Sequence, residues 1–223
     1  MQLLEVIFSL TLVAILASGA YLSYSLALPN DARSALTTLY ALKRARLLSL
    51  TDSSYMGYVD FGDIYAFARV DSVRLLSSFS HFFWQTQFHT SGIYTKNSLS
   101  IYRDTPRFAS TTDFDKRPLA GDIVALSAAN QQCLSGYNNT NITGFCKDNA
   151  LLDFRLFETN RLQNLALGYP QCQERDTFRF YFDDFSRILC GINLQTPTTS
   201  QVVHVGNFSI LLNPITGYAF ILK

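Results

Sequence analysis

Four cysteines are the residues whose type and spacing point most directly to chemistry. Cys133, Cys146, Cys172 and Cys190 all lie in the C-terminal half of the chain. An even number of cysteines is typical of a disulfide framework, whereas zinc sites use closely spaced pairs such as C-x-x-C. Three pairings are possible, and proximity along the chain favours Cys133 with Cys146 and Cys172 with Cys190. The spacing therefore predicts two disulfides.

The other side chains that could do chemistry form no complete motif. His81 and His89 lie eight residues apart in a segment with strand-like alternation, which is too far for one metal ion. Carboxylates cluster at Asp113–Asp115, Asp122 and Asp183–Asp184 without the ligand pattern of a calcium loop. The sequence holds neither a phosphate-binding loop nor the elbow of a serine hydrolase. We therefore expect no enzyme, no metal site and no cofactor.

Composition limits the class of protein further. Of 223 residues, 48% are hydrophobic and 16% are charged, which excludes a disordered chain. The formal net charge is +1, so no global electrostatic field recruits nucleic acid. The length suits one domain with a sizeable core, or a small domain that carries an appendage.

The N-terminal segment Leu3–Leu28 is apolar, and its only charged residue is Glu5. A helix needs roughly 20 apolar residues to cross a bilayer, and a carboxylate inside such a helix needs a partner. No basic side chain lies between Met1 and Asn30, so the partner is an α-amino group, either its own or that of a neighbouring copy. Pairing with a neighbour predicts a filament. The alternative is a single-pass anchor with Glu5 near the lipid headgroups.

The first residues, Met1-Gln2-Leu3-Leu4-Glu5-Val6-Ile7 followed by FSLTLVAILASG, resemble the start of a mature type IV pilin or pseudopilin. In that family a prepilin peptidase cuts a basic leader and methylates the new N-terminus, which leaves a glutamate at the fifth position. The resemblance implies that Met1 is methylated and that Glu5 directs assembly. The chain departs from the family in lacking the leader, in carrying Met1 where phenylalanine is commoner, and in lacking a proline within the segment.

The resemblance implies a structural subunit of a type IV pilus-like filament. Its partners would be copies of itself and other pilin-like subunits, the prepilin peptidase, and an assembly motor and platform. Its location would be the inner membrane before assembly, then a periplasmic or cell-surface filament of a bacterium. Major pilin, minor pilin, secretion pseudopilin and DNA-uptake pilin all remain open, and DNA is a partner without support. The alternative function is a monomeric, membrane-anchored extracytoplasmic module for binding or adhesion.

A second helix is predicted directly after the apolar segment. Pro29 disfavours helical geometry at Leu28, and Asn30 or Asp31 can cap a new start. The segment Asp31–Leu50 has apolar residues at helical spacing, which we expect to pack on a globular head. Those positions are Ala32, Ala35, Leu36, Leu39, Tyr40, Leu47 and Leu50. The basic run Lys43-Arg44-Ala45-Arg46 is available for acidic lipid, phosphate or a neighbouring subunit's carboxylates.

The rest of the chain changes to the two-residue period of strands. Three hairpins are predicted, and we expect their strands to form one antiparallel sheet. The paired segments are His81–His89 with Ser98–Tyr102, Thr177–Phe182 with Arg187–Ile192, and Asn207–Leu212 with Tyr218–Leu222. The block FSILLNPITGYAFI, which spans the third hairpin, also resembles the C-terminal end of pseudopilin-like proteins. A short helix is expected in each of Leu119–Ala129 and Asn149–Leu167, in the second case around Leu151–Leu167.

Together these patterns predict an α+β fold of the pilin type. A long N-terminal helix, membrane-spanning before assembly, would pack on a head with an antiparallel β-sheet. The helix would occupy residues 1–53, with 1–28 apolar and 29–53 amphipathic, and the head would occupy residues 54–223. The boundary would lie near Ser53.

Overall fold

The computed structural model describes residues 11, 13, 28–51, 83–90, 95–104, 117–138, 141–174, 177–191 and 194–222. Its helices are α1 (Asn30–Thr51), α2 (Gly144–Asp148) and α3 (Leu156–Asn160), with 3₁₀ turns at Leu152–Phe154 and Pro170–Cys172. The strands are β1 (Trp84–His89), β2 (Ser98–Arg103), β3 (Ile123–Val124), β4 (Leu165–Leu167), β5 (Thr177–Phe182), β6 (Ile188–Leu189), β7 (Gln201–Val205), β8 (Phe208–Leu212) and β9 (Ala219–Leu222).

Helix α1 begins directly after Pro29, as the sequence predicts. Leu28 and Pro29 are not helical, because the proline ring disfavours helical geometry at the residue before it. The backbone N–H of Arg33 donates to the Pro29 carbonyl at 3.1 Å, which closes the first turn. At the other end, the Thr51 hydroxyl donates to the Leu47 carbonyl at 3.0 Å. The predicted second helix is therefore confirmed over Asn30–Thr51.

The first sheet has five antiparallel strands in the order β3-β2-β1-β5-β6. In its centre Phe88 of β1 lies between Leu99 of β2 and Phe178 of β5. The Phe88 and Phe178 rings stack with their centroids 4.4 Å apart. Two of the predicted hairpins, β1 with β2 and β5 with β6, are confirmed here.

The second sheet has four antiparallel strands in the order β4-β7-β8-β9. The third predicted hairpin, β8 with β9, is confirmed in it. Strands β7 and β8 pair across a tight turn in which Gly206 has a φ of 58°, a value that favours glycine. The Asp31 carboxylate of α1 accepts a hydrogen bond from the Asn207 N–H of this turn at 3.2 Å. The first turn of α1 is thus fastened to the second sheet.

Helix α1 packs against both sheets and joins their buried side chains into one hydrophobic core. Its contact face combines small residues with two leucines, which lets the helix backbone approach the strands closely. The buried residues of α1 are Ser34, Ala35, Thr38, Ala41, Leu42, Ala45, Leu48 and Ser49.

The predicted fold class, a long N-terminal helix packed on a head with one antiparallel sheet as in pilins, is wrong. The described helix that packs on the sheets is α1, with 22 residues, and the non-helical Leu28 and Pro29 precede it. The strands form two sheets, because β7, β8 and β9 pair with β4 instead of continuing from β6. Alternation within a strand specifies which residues share a face, but it does not specify the neighbouring strand.

Several predictions fall partly or wholly outside the described residues. Of the apolar segment Leu3–Leu28, only Thr11, Val13 and Leu28 are described, and the boundary near Ser53 is not. Within the part of the chain that the structure describes, no helix is both long and apolar enough to cross a bilayer.

The two short helices predicted in the second half of the chain have different outcomes. Helix α3 and the Leu152–Phe154 turn confirm helical structure in Leu151–Leu167. The prediction for Leu119–Ala129 is wrong, because the backbone there forms β3 as an edge strand against β2.

Candidate assembly surface

The outer face of α1 carries a line of exposed apolar side chains, here called the outer stripe. It consists of Leu36, Tyr40, Leu47 and Leu50, whose exposed fractions lie between 43% and 48%. Helical residues three, four and seven apart share a face, so these four side chains lie on one face of α1, with the exposed Lys43 between Tyr40 and Leu47. A helix with apolar side chains on the face opposite its core contact is typical of one that is covered on both sides.

The orientation of α1 corrects one detail of the sequence analysis. The large apolar residues that define its periodic pattern were expected to face the head, but those of the outer stripe face outward. The face toward the sheets includes the hydroxyls of Ser34 and Thr38, both fully buried. Small side chains face the sheets because they allow close packing. The larger side chains of the outer stripe therefore point away from the sheets.

The basic run of α1 lies beside the turn between β8 and β9. The Lys43 ammonium lies 5.7 Å from the centre of the Tyr218 ring, within the range of a cation–π contact. The Arg46 Nε donates to the Thr216 carbonyl at 2.8 Å. Neither Lys43 nor Arg46 has an acidic partner among the described residues.

Two neighbouring turns present large apolar side chains beside these cations. Phe185, in the turn between β5 and β6, is 76% exposed, and Ile215 and Tyr218, at the β8–β9 turn, are 61% and 53% exposed. The β8–β9 turn lies against the start of β6, because the Ile188 N–H donates to the Pro214 carbonyl at 2.7 Å. We call Phe185, Ile215 and Tyr218 the turn patch.

Side-chain caps hold both turns of the patch in place. In the first turn, Asp183 Oδ1 accepts from the N–H groups of Phe185 and Arg187 at 3.0 and 2.7 Å. In the second, Asn213 Oδ1 accepts from the N–H groups of Ile215 and Thr216 at 2.9 and 3.0 Å. Such bonds are typical of turns led by Asp or Asn. The exposed side chains therefore project from fixed backbone, which lowers the entropy cost of binding a partner.

The first sheet has a buried polar cluster on the face away from its phenylalanines. At its centre Arg179 is 1% exposed, and its Nη1 donates to Gln85 Oε1 at 2.9 Å. Its Nε and Nη2 lie 2.8 Å from Oε1 and Oε2 of Glu174, in a two-point ion pair. The Tyr102 hydroxyl donates to Gln87 Oε1 at 2.8 Å. Register places these side chains together, because Gln85 pairs with Tyr181 and Gln87 with Arg179.

Burial and charge set the protonation of this cluster. Burial raises the pKa of Tyr102 well above its usual value and outweighs the opposing field of Arg179. Burial raises the pKa of Tyr181 as well. Burial disfavours the charge on Arg179, but the oxygen atoms of Tyr102, Tyr181 and Glu174 that surround the guanidinium favour it and leave its pKa raised. The cluster therefore holds neutral tyrosines around one charged pair.

His89 lies at the edge of this cluster and is buried. Its ring stacks on Tyr137 with the centroids 4.8 Å apart, and its Nε2 lies 3.4 Å from the Ser100 hydroxyl. Burial, followed by the fields of Arg179 and Arg117, lowers the pKa of His89 to about 3. The folded protein therefore keeps His89 neutral in mildly acidic solution.

This neutral histidine predicts acid sensitivity. The unfolded chain binds a proton at His89 below about pH 6.5, whereas the folded chain does not, so stability falls as pH drops. Between pH 7 and 5, His89 is expected to account for about 2 kcal/mol of lost unfolding free energy. Urea unfolding followed by fluorescence of Trp84, the single tryptophan, measures this loss.

The His89→Gln variant is expected to lose correspondingly less stability over the same pH interval. His204→Gln is the control, because His204 is half-buried on the second sheet, where its Nδ1 lies 2.9 Å from the Ser209 hydroxyl. Equal acid sensitivity in the wild type and in His89→Gln would show that His89 does not cause it.

Comparisons with protein-family models, with curated proteins and with solved structures find no match to this chain.

The four cysteines form the two disulfides that their proximity predicts. One joins Cys133 to Cys146 of α2, and the other joins Cys172 to Cys190. The Cys133 backbone also forms isolated β-bridges with Leu126, which follows the edge strand β3, and with Ala150. The first disulfide therefore holds α2 close to this edge of the first sheet.

The remaining predicted site residues are separated or not described. Met1 and Glu5 lie outside the described residues, as do His81, Asp113 and Asp115. Asp122 accepts from the Leu119 N–H at 2.8 Å, and Asp183 is paired with Arg187 at 2.7 Å. Among the described residues, no three histidines, cysteines or carboxylates come together as a metal site would require.

Neither the buried cluster around Arg179 nor the turn patch was predicted from the sequence. One signal for the cluster is the alternation in Thr177–Phe182, where Arg179 and Tyr181 fall on the face opposite three phenylalanines. The turn patch has a weaker signal: a large apolar residue, Phe185 or Ile215, inside each predicted turn.

Proposed function

We propose that this chain is a structural subunit of a type IV pilus-like filament, of the pilin or pseudopilin class. The observation that carries the proposal is the outer stripe of α1, a row of apolar side chains opposite the face that packs on the sheets. It follows the apolar segment Leu3–Leu28 along the chain, and we assign both to packing against neighbouring copies.

The free energy available from the outer stripe is sufficient to matter. Complete burial of a large apolar side chain is worth about 1.5–3 kcal/mol, and these four are close to half exposed. Covering them would contribute about 1 kcal/mol each, or about 4 kcal/mol in total. Burying the apolar segment would add to this, so copies would associate strongly.

Glu5 has a specific role in this proposal. In the apolar surroundings of Leu3–Leu28 its carboxylate needs a cation, and the α-amino group of Met1 in a neighbouring copy supplies one. The pairing would set the axial register between copies. The proposed partners are further copies, other pilin-like subunits, the inner membrane before assembly, and the peptidase and motor that process and move such subunits.

A monomeric, membrane-anchored binding module is the alternative function. The turn patch favours it to some extent, because rigid loops with exposed aromatic side chains are typical of binding sites. In that case the outer stripe would stay exposed on each molecule, and self-association would not depend on it.

The double variant Leu36→Glu with Leu47→Glu tests the proposal. It places two charges in the outer stripe, so association of the full chain in detergent is expected to weaken by about 100-fold or more.

Glu5→Ala is expected to insert into membranes normally but to form few filaments, because its pairing is lost. Sedimentation velocity measures association, and microscopy of sheared surface fractions measures filament yield.

Tyr169→Glu is the matched control, because Tyr169 is 50% exposed but lies outside the outer stripe. It is expected to associate like the wild type. A wild-type chain that stays monomeric at all concentrations, or a stripe variant that assembles normally, would favour the anchored binding module.

A further inference from the structure

The turn patch is bordered by more positive than negative charge. Of the two carboxylates at its base, Asp183 is paired with Arg187, and the exposed Asp184 offsets only one of the two charges of Lys43 and Arg46. At this patch Lys43 contacts the Tyr218 ring, and Arg46 contacts the Thr216 carbonyl. A partner for this surface therefore needs apolar side chains next to carboxylates.

The chain itself presents such a surface in residues Gly144–Phe154, here called the acidic segment. Phe145 and Leu152 are 54% and 57% exposed. Asp148 and Asp153 are exposed, and neither has a cationic partner among the described residues. Lys147 offsets one of the two charges, so the segment keeps a net negative charge. The disulfide from Cys146 to Cys133 holds the segment in place.

The two surfaces lie at different edges of the first sheet. The turn patch follows β5 and borders the edge strand β6, whereas the acidic segment lies by β2, which contacts the Leu152–Phe154 turn. Strands β2 and β6 are three places apart in the sheet, about 14 Å at the usual strand spacing. One molecule therefore offers the surfaces at two separate sites, and they can meet only between molecules.

We propose that the turn patch of one copy binds the acidic segment of the next copy. This rests on the proposed function, because it assigns the contact between heads in an assembly of copies. Lys43 and Arg46 face Asp148 and Asp153 of the neighbour, while Phe185, Ile215 and Tyr218 cover Phe145 and Leu152. Because two different surfaces meet, a pair of copies leaves one turn patch and one acidic segment unoccupied, so the contact propagates along a filament.

Charge reversal on each side tests the contact. In the patch variant, Lys43→Glu with Arg46→Glu places like charges against the neighbour's aspartates. In the segment variant, Asp148→Lys with Asp153→Lys does the same against the patch. Each full-length variant alone, in detergent, is expected to need a concentration about tenfold higher or more for half association.

Mixing gives the decisive result. In an equimolar mixture, the acidic patch of one variant meets the basic segment of the other, so association is expected to return to the wild-type concentration. The quadruple variant, which exchanges all four charges, is expected to associate by itself. It keeps the wild-type net charge, so its recovery cannot arise from overall attraction between oppositely charged molecules. Sedimentation velocity reports all these states.

A control separates this contact from general charge effects. Lys96→Glu with Arg161→Glu changes the net charge as the patch variant does but replaces no residue of either surface, and it is expected to associate normally. If the wild type assembles and both reversal variants assemble equally well, the contact is wrong and the filament proposal stands. The contact is also wrong if neither the mixture nor the quadruple variant recovers. If the wild type is monomeric throughout, both proposals fail.

Discussion

Removal of both disulfides is expected to lower the free energy of unfolding by about 6 kcal/mol. The bonds close loops with sequence separations of 13 and 18 residues. A cross-link that closes a loop of about 15 residues stabilises a protein by about 3 kcal/mol, chiefly by restricting the unfolded chain. Because total stabilities are about 5–15 kcal/mol, the reduced protein is expected to be largely unfolded on warming.

Thermal unfolding with and without a reductant measures this effect, with Trp84 fluorescence as the probe. Replacing Cys133 and Cys146 together, or Cys172 and Cys190 together, by alanine removes one bond at a time. Each pair variant is expected to lose about half of the total. Thiol labelling of the native protein without denaturant is expected to find no free cysteine. Ready labelling, or an unchanged melting temperature after reduction, would contradict the prediction.

Loss of the Glu174 carboxylate is expected to destabilise the protein by about 3–5 kcal/mol. Glu174→Ala leaves the Arg179 guanidinium, which is 1% exposed, without its counter-charge. Removing one partner of a buried ion pair is costly because the remaining charge stays buried. Urea unfolding at neutral pH measures the loss.

Two further variants show whether burial is the cause. Glu158→Ala removes the pair between Arg155 and Glu158, whose atoms lie 3.4 Å apart. Because the Glu158 side chain is 49% exposed, the change is expected to cost about 1 kcal/mol or less. Adding Arg179→Met to Glu174→Ala removes the uncompensated charge, so the double variant is expected to be more stable than Glu174→Ala alone. A cost for Glu174→Ala as small as that for Glu158→Ala would contradict the role of the buried pair.

Local features of the fold could be predicted because each depends on a short stretch of chain. Pro29 and the helical spacing after it predict where α1 begins. Alternation and turn residues predict the three hairpins, and chain proximity predicts the disulfide pairs. Each of these follows from residues that are neighbours along the sequence.

Features that depend on distant residues could not be predicted in the same way. Strands β5 and β8 show a similar alternation of side chains, yet β5 pairs with β1 and β8 pairs with β7. The strands therefore form two sheets where one was expected. The outward orientation of Leu36 and Leu47 depends on α1 touching both sheets. Arg179 is buried because Glu174, Gln85 and Tyr102 all reach it, and Gln85 and Tyr102 come from other strands.

The contact of α1 with both sheets also has a mechanical consequence. A pull on the first turn of α1, directed along the helix axis, would act on its contacts with both sheets. The helix could slide only by shearing its contacts with β1 and β2 on one side and with β8 and β9 on the other at the same time. The bond from Asn207 to Asp31 would bear load at the first turn. The two sheets would therefore resist separation from α1 together, and neither would detach before the other.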